Sequence, residues 1–204
     1  GIPVRSMFYK NTNKAIAKRA SGIAVGSRHL LMMCGSMGCG PMARLAGRIS
    51  RRLEDSMELS IVCGTNRGLY GKLKRRFKNN SRVHVLGYVE DISLLMDSAD
   101  LYLTKPGGIS VSEAALKGLP MVFVDAVAGC ELHNMDFFIS RGAARTASPP
   151  FKLAALCTEL LGDEAALEAM SQSLLHFKGL RAAEAVCGRV EADCYENQTA
   201  RGAV

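Results

Sequence analysis

Four loops concentrate the residues that can do chemistry in this sequence, each following a short apolar run. Gly35-Ser36-Met37-Gly38-Cys39-Gly40 is the first. Glycines there permit a tight turn and a close backbone approach, so amide N–H groups at a helix start can face an anion. Their spacing is not the GxGxxG of dinucleotide sites, and the segment also reads as a plain turn between strand and helix. The second loop is Thr104-Lys105-Pro106-Gly107-Gly108-Ile109-Ser110-Val111-Ser112-Glu113. A helix opening there would present its positive end to a phosphate, and Glu113, about one turn in, can accept two hydrogen bonds from a vicinal diol such as a ribose. The segment lacks the Gly-Lys-Ser/Thr ending of a P-loop. Gly87-Tyr88-Val89 can offer backbone groups to a base edge, or simply end a strand. In the fourth loop, Ala128-Gly129-Cys130-Glu131-Leu132-His133-Asn134, the residues Glu131 and Asn134 stand one helical turn apart and share a face. They can hold sugar hydroxyls, or serve only as a helix start and a solvated amide.

These loops need a scaffold, and the hydropathy pattern supplies one. Apolar runs at 29–34, 58–63, 83–86, 100–104 and 121–124 read as buried strands, with a further short strand at 143–146. Between them, Pro41 to Leu53, Leu69 to Lys78, Asp91 to Ser98, Ser110 to Lys117 and Glu131 to Ser140 read as helices. Pro41 suits a first turn, Asp91 a positive helix end, and Gly118 a C-terminal cap. From Pro150 onward the chain reads as helices, with a frayed end from Asn197 to Val204. Strands alternating with helices predict an α/β fold: a Rossmann-like parallel sheet with helices on both faces. Such sheets bind ligands beyond the carboxyl ends of their strands, where all four loops fall.

The 204 residues are enough for one well-buried domain. With 48% hydrophobic and 22% charged residues, the composition excludes disorder, collagen and coiled coil as overall descriptions. No apolar run reaches the length of a membrane span, no leader peptide is visible, and the missing initiator Met suggests a piece of a longer protein. The net charge of +7 favours anionic partners. Seven cysteines, an odd number with no CxxC pair, read as reduced thiols, and the four dispersed histidines predict no metal site. The basic helix with Lys72, Lys74, Arg75, Arg76 and Lys78 reads as a solvated face or as a peripheral membrane contact. Absence of Trp, 6% aromatics and no known module argue against nucleic-acid binding.

Taken in order, Gly1-Ile2-Pro3-Val4-Arg5, the Gly-Ser-Met-Gly loop, Leu86-Gly87-Tyr88, Thr104-Lys-Pro-Gly-Gly-x-x-x-Ser112-Glu113-Ala114, Gly118-Leu119-Pro120 and Gly129-x-Glu131-x-x-Asn134 carry a resemblance. The chain resembles the C-terminal half of glycosyltransferase family 28, which includes monogalactosyldiacylglycerol synthase, processive diacylglycerol glucosyltransferase and MurG. The resemblance spans residue 1 to about 170 and points to the diacylglycerol branch. It implies the donor half of a GT-B fold: a linker remnant at 1–8, a UDP-sugar-binding domain at 9–170, and a helical extension at 171–204. By position, Gly87, Tyr88 and Val89 would hold the uracil and Glu113 the ribose. Arg5, Gly107, Gly108 and Ser110 would serve the diphosphate, with Gly35, Ser36 and Gly38 beside it. Glu131 and Asn134 would meet the sugar. The family's usual Gln stands as Cys130 here, and a frequent Pro as Ala128.

The resemblance implies an inverting, metal-independent hexosyl transfer to a lipid acceptor such as diacylglycerol. The UDP-sugar is then a substrate, no cofactor is needed, and the general base lies in an N-terminal domain or partner subunit. It also implies a cytoplasmic location, peripheral on the inner face of a membrane. A donor subunit of a split transferase, half of a UDP-GlcNAc 2-epimerase-like enzyme and a regulatory nucleotide-binding module stay open as alternatives.

Overall fold

A computed structural model describes residues 2–33, 35, 42–126, 129–179 and 181–201. Six parallel strands form one sheet in the order β3-β2-β1-β4-β5-β6. They are β1 (Arg28–Met33), β2 (Met57–Val62), β3 (Val83–Leu86), β4 (Leu101–Thr104), β5 (Met121–Phe123) and β6 (Ala144–Thr146). The order reverses between β1 and β4, which pair through Leu30–Leu101, Leu31–Tyr102 and Met32–Leu103. That reversal opens a crevice at the carboxyl ends of these two strands.

The strands read as apolar runs because both faces are covered. All six residues of β2 are buried. Leu30, Met32, Leu59, Ile61, Val83 and Val85 point to one face, beneath α2 (Met42–Ile49), α3 (Arg67–Arg76), α7 (Leu153–Gly162) and α8 (Glu164–Gln172). Leu31, Tyr102, Met121 and Phe123 point to the other, beneath α4 (Ile92–Ser98), α5 (Gly108–Lys117) and α6 (Cys130–Ser140). Phe8, in a 3-10 turn at Ser6–Tyr9, is buried in this second layer.

Polar caps fix several helix starts. Asp91 accepts from Leu94 N at 3.0 Å, Asn66 from Leu69 N at 2.9 Å and Asp163 from Ala166 N at 2.9 Å. Each satisfies an amide the helix itself leaves unpaired. One helix escaped the sequence reading: α1 (Lys14–Ala20), capped by Asn13, packs against α4. The last helix, α9 (Ala182–Arg201), reaches into the stretch expected to fray from Asn197, and residues 202–204 lie outside the described residues.

Under α1 and α4 the sheet carries a polar strip. The ring of His29 lies between the hydroxyls of Ser60, at 2.8 Å, and Ser98, at 3.1 Å. Asp100 accepts from His29 N at 2.8 Å and pairs with Lys18 at 2.9 Å and Lys14 at 2.8 Å. Glu58 accepts from Ala24 N at 2.9 Å and lies 2.6 Å from the His84 ring. This strip ties residues 14–29 to the amino ends of the strands, opposite the crevice.

Candidate functional site

The crevice contains a cavity of about 310 Å³, lined by Arg5, Gly35, Tyr88, Val89, Ser110 and Glu113 together with Met33, Val62, Gly64, Ile92 and Ile109. Four strand ends contribute: β1 leads to Gly35, β2 to Gly64, β3 to Tyr88, and β4 to the loop that opens α5. The second loop therefore does start a helix, two residues earlier than the sequence reading placed it, with Gly107 at the N-cap.

Within α5, Glu113 is buried, yet its carboxylate borders the cavity. Its Oε1 lies 3.7 Å from Nη2 of Arg5, whose own side chain is half exposed and lies over the Phe8 ring. Burial holds the Glu113 carboxyl above the usual carboxylate range, and the guanidinium opposes that effect. Ser110 is held from beneath: its hydroxyl lies 2.7 Å from that of buried Tyr102 and 3.4 Å from Thr104 Oγ1. When Tyr102 donates, the Ser110 proton is free to point into the cavity. A cation, a hydroxyl donor and a carboxylate thus border a mostly apolar space. That set suits a ligand with an anionic group, a diol and a flat apolar part.

Gly87 lines an adjoining cavity of about 280 Å³ with Gly64, Thr65, Arg67, Tyr70 and Tyr88. Tyr88 separates the two spaces and is 71% exposed. Gly107, Gly108, Glu131 and Asn134 assemble around the start of α5 rather than in the first cavity. Asn134 Nδ2 donates to Pro106 O at 2.9 Å, and Glu131 pairs with Lys105 at 3.5 Å. A side chain built on Gly108 would reach within 3.8 Å of the Asn134 amide, so these residues form one cluster. Ser36 and Gly38 lie outside the described residues. The sequence reading missed Met33, Val62, Ile92 and Ile109, which look like ordinary core residues, and Gly64, which ends a strand as Gly35 and Gly87 do.

A cavity of about 320 Å³ also lies at the opposite end of the sheet, and it is rich in charge. Most of its charged side chains pair with one another: Arg28 with Glu164 at 3.0 Å and Lys117 with Asp97 at 2.9 Å, beside the Lys14–Asp100 pair. It sits at the amino ends of β1 and β4, where this architecture does not place ligands.

Residues 29–184 match the model of the glycosyltransferase family 28 C-terminal domain. The chain belongs to that family. This family 28 domain is 34% identical over 180 residues to a processive diacylglycerol beta-glucosyltransferase of Staphylococcus carnosus, covering 87% of the chain and 46% of that relative. It is 30% identical over 183 residues to the chloroplastic monogalactosyldiacylglycerol synthase of Spinacia oleracea, covering 86% of the chain and 35% of that relative. The chain therefore spans less than half the length of these relatives. Among solved structures, MurG of Acinetobacter baumannii superposes with a TM-score of 0.73 at 16% identity, covering 91% of this chain and 55% of that one. The fold is that of the C-terminal half of a GT-B glycosyltransferase, and the family 28 domain places its crevice at the switch point between β1 and β4.

Proposed function

We propose that this domain binds the UDP-sugar donor of an inverting, metal-independent hexosyltransferase whose acceptor is a lipid such as diacylglycerol. The observation that carries the reading is Glu113, a buried carboxylate that opens with Arg5 and Ser110 onto the switch-point cavity. Support for the lipid acceptor comes from the names of the relatives, which are diacylglycerol glycosyltransferases.

In the proposed reaction an acceptor hydroxyl attacks the anomeric carbon as the bond from that carbon to the β-phosphate oxygen breaks. The leaving UDP takes the electron pair, and the acceptor proton passes to a base outside this chain. Attack from the face opposite the leaving group inverts the anomeric centre. Charge growing on the β-phosphate would meet the Arg5 guanidinium and the N-terminal amides of α5, with Ser110 as a hydroxyl donor. Glu113 would hold the ribose diol through two accepted hydrogen bonds.

Calorimetry with UDP, using NADH as the control, tests this reading. The expected result is UDP binding without NADH binding, and a loss of about thirtyfold or more in UDP affinity for Glu113→Ala. Binding of NADH in preference to UDP would overturn the assignment, and unchanged UDP affinity in the variant would remove Glu113 from the site.

A further inference from the structure

We propose that the flank built from α2, α3 and the loops following them is a docking surface for an anionic lipid membrane. The chain's excess positive charge is confined to this flank. Residues 42–82 hold eleven Lys and Arg against three Asp and Glu, a net +8, whereas the rest of the chain is net −1. A basic protein with evenly spread charge would not show this division.

The structure joins these charges into one continuous surface. Arg76, in the last turn of α3, donates to Ala43 O of α2 at 2.9 Å, and its guanidinium fills the space where Gly47 has no side chain. Arg82 donates to Leu53 O at 2.8 Å and so ties the loop after α3 to the loop after α2. Arg44, Arg51, Arg52, Lys72, Arg75 and Lys78 are exposed and make no ion pair among the described residues. The three acids of the segment offer little compensation. Asp55 is spent on Arg82, Glu58 is buried beside His84, and Glu54 is exposed and makes no ion pair among the described residues.

The flank is cationic without being sticky. It exposes no large apolar side chain. Its two aromatics, Tyr70 and Phe77, lie partly or fully beneath the basic side chains, with Lys74 over one ring and Arg76 over the other. Single-stranded nucleic acid is held by stacking on exposed rings, which this flank does not offer. A polybasic surface without rings suits a sheet of anionic headgroups, where each Lys or Arg adds to an electrostatic attraction that salt weakens. The flank also reaches the ligand crevice: Arg67, the first residue of α3, lines the cavity beside Tyr88. The choice of a lipid surface over other polyanions rests on the lipid-acceptor reading above.

The test is co-sedimentation of the 204-residue chain with phosphatidylcholine vesicles, with and without about 30% phosphatidylglycerol. Binding to the anionic vesicles only, lost in about 0.5 M salt, is expected. The variant Lys72→Gln, Lys74→Gln, Arg75→Gln, Lys78→Gln should lose at least about a hundredfold in partitioning. A matched variant elsewhere, Arg19→Gln, Arg145→Gln, Lys152→Gln, Lys178→Gln, removes the same charge and should lose less than about tenfold. A charge-retaining control, with Lys72, Lys74 and Lys78 changed to Arg, should bind like the parent. Equal binding to neutral vesicles, equal losses in the two Gln variants, or tighter binding to a 30-nucleotide RNA than to vesicles at about 0.15 M salt would each overturn the proposal. UDP calorimetry on the flank variant reports folding and separates the two readings. In the parent chain, UDP bound with vesicles ignored sinks the docking surface alone, and vesicles bound with UDP ignored sinks the donor site alone.

Discussion

Burial favours the neutral form of two ionisable side chains, and so shifts their pKa values in opposite directions. Burial raises the pKa of Glu113, and Arg5 opposes the rise. An ionised carboxylate accepts two hydrogen bonds from a diol, and its protonated form gives up one of those acceptors. The proposed donor site therefore weakens as pH falls through the raised pKa, above the range where an exposed glutamate would titrate. Calorimetry with UDP-glucose between about pH 7.5 and 5 should show this decline. In Arg5→Ala the decline should begin at higher pH, because the opposing charge is gone. Glu113→Gln should be weak throughout and flat. His29 behaves differently, since burial lowers its pKa to about 4 and keeps the ring neutral between Ser60 and Ser98. Below about pH 6.5 the unfolded chain gains a proton there that the folded chain refuses. Stability should therefore rise with pH between about 4 and 6.5, and acidification across that window should remove about 3 kcal/mol. Urea unfolding across the window should show this slope, and His29→Gln should flatten it. An unchanged slope in the variant would place the acid sensitivity elsewhere.

At the scale of elements, glycine position predicts opposite outcomes for the same substitution. Gly118 ends α5 with φ of +64°, and a side chain there would meet Lys178 Cε at 3.1 Å. Gly118→Ala should lower stability by about 1 kcal/mol or more. Gly71 lies inside α3 with open space around it, so Gly71→Ala should raise stability by about 0.5–1 kcal/mol. Thermal unfolding of the two variants checks both signs. The same contrast shows what local sequence can reveal. β1 was legible as a strand because burial on both faces leaves the unbroken apolar run Leu30-Leu31-Met32-Met33. The start of α5 was read two residues late because Gly107 and Gly108 look like loop, although the first amides of a helix need no partner within it. In α1, Ala17 and the stem of Lys18 are buried, a face too narrow to register as amphipathic. Nothing local pairs Lys18 with Asp100, 82 residues away. The cavity's polar lining, Arg5, Ser110 and Glu113, falls among the residues that the resemblance singled out. Its apolar walls, Met33, Val62, Ile92 and Ile109, carry core chemistry, and only topology turns them toward a cavity.

For the molecule as a whole, the deciding feature is that recognition and reaction have separable requirements. The cavity draws its walls from four strand ends of one sheet and from Arg5, all within this chain. The chain alone is therefore expected to bind the donor. Transfer needs a base for the acceptor proton and a seat for the lipid, and the proposed reaction draws both from outside these 204 residues, which span 46% of the Staphylococcus carnosus relative. A positioned general base contributes about 10²–10⁴ in rate, and correct placement of two reactants contributes more. Incubated with radiolabelled UDP-glucose and diacylglycerol vesicles, the chain alone should thus bind donor yet form glycolipid at least about 10⁴-fold more slowly than a full-length relative. Thin-layer separation of the lipid product measures this directly. Glycolipid formed at rates comparable to the relative would mean that the base and the acceptor seat lie within this domain. The search for them would then begin at the carboxylates nearest the crevice, Glu113 and Glu131.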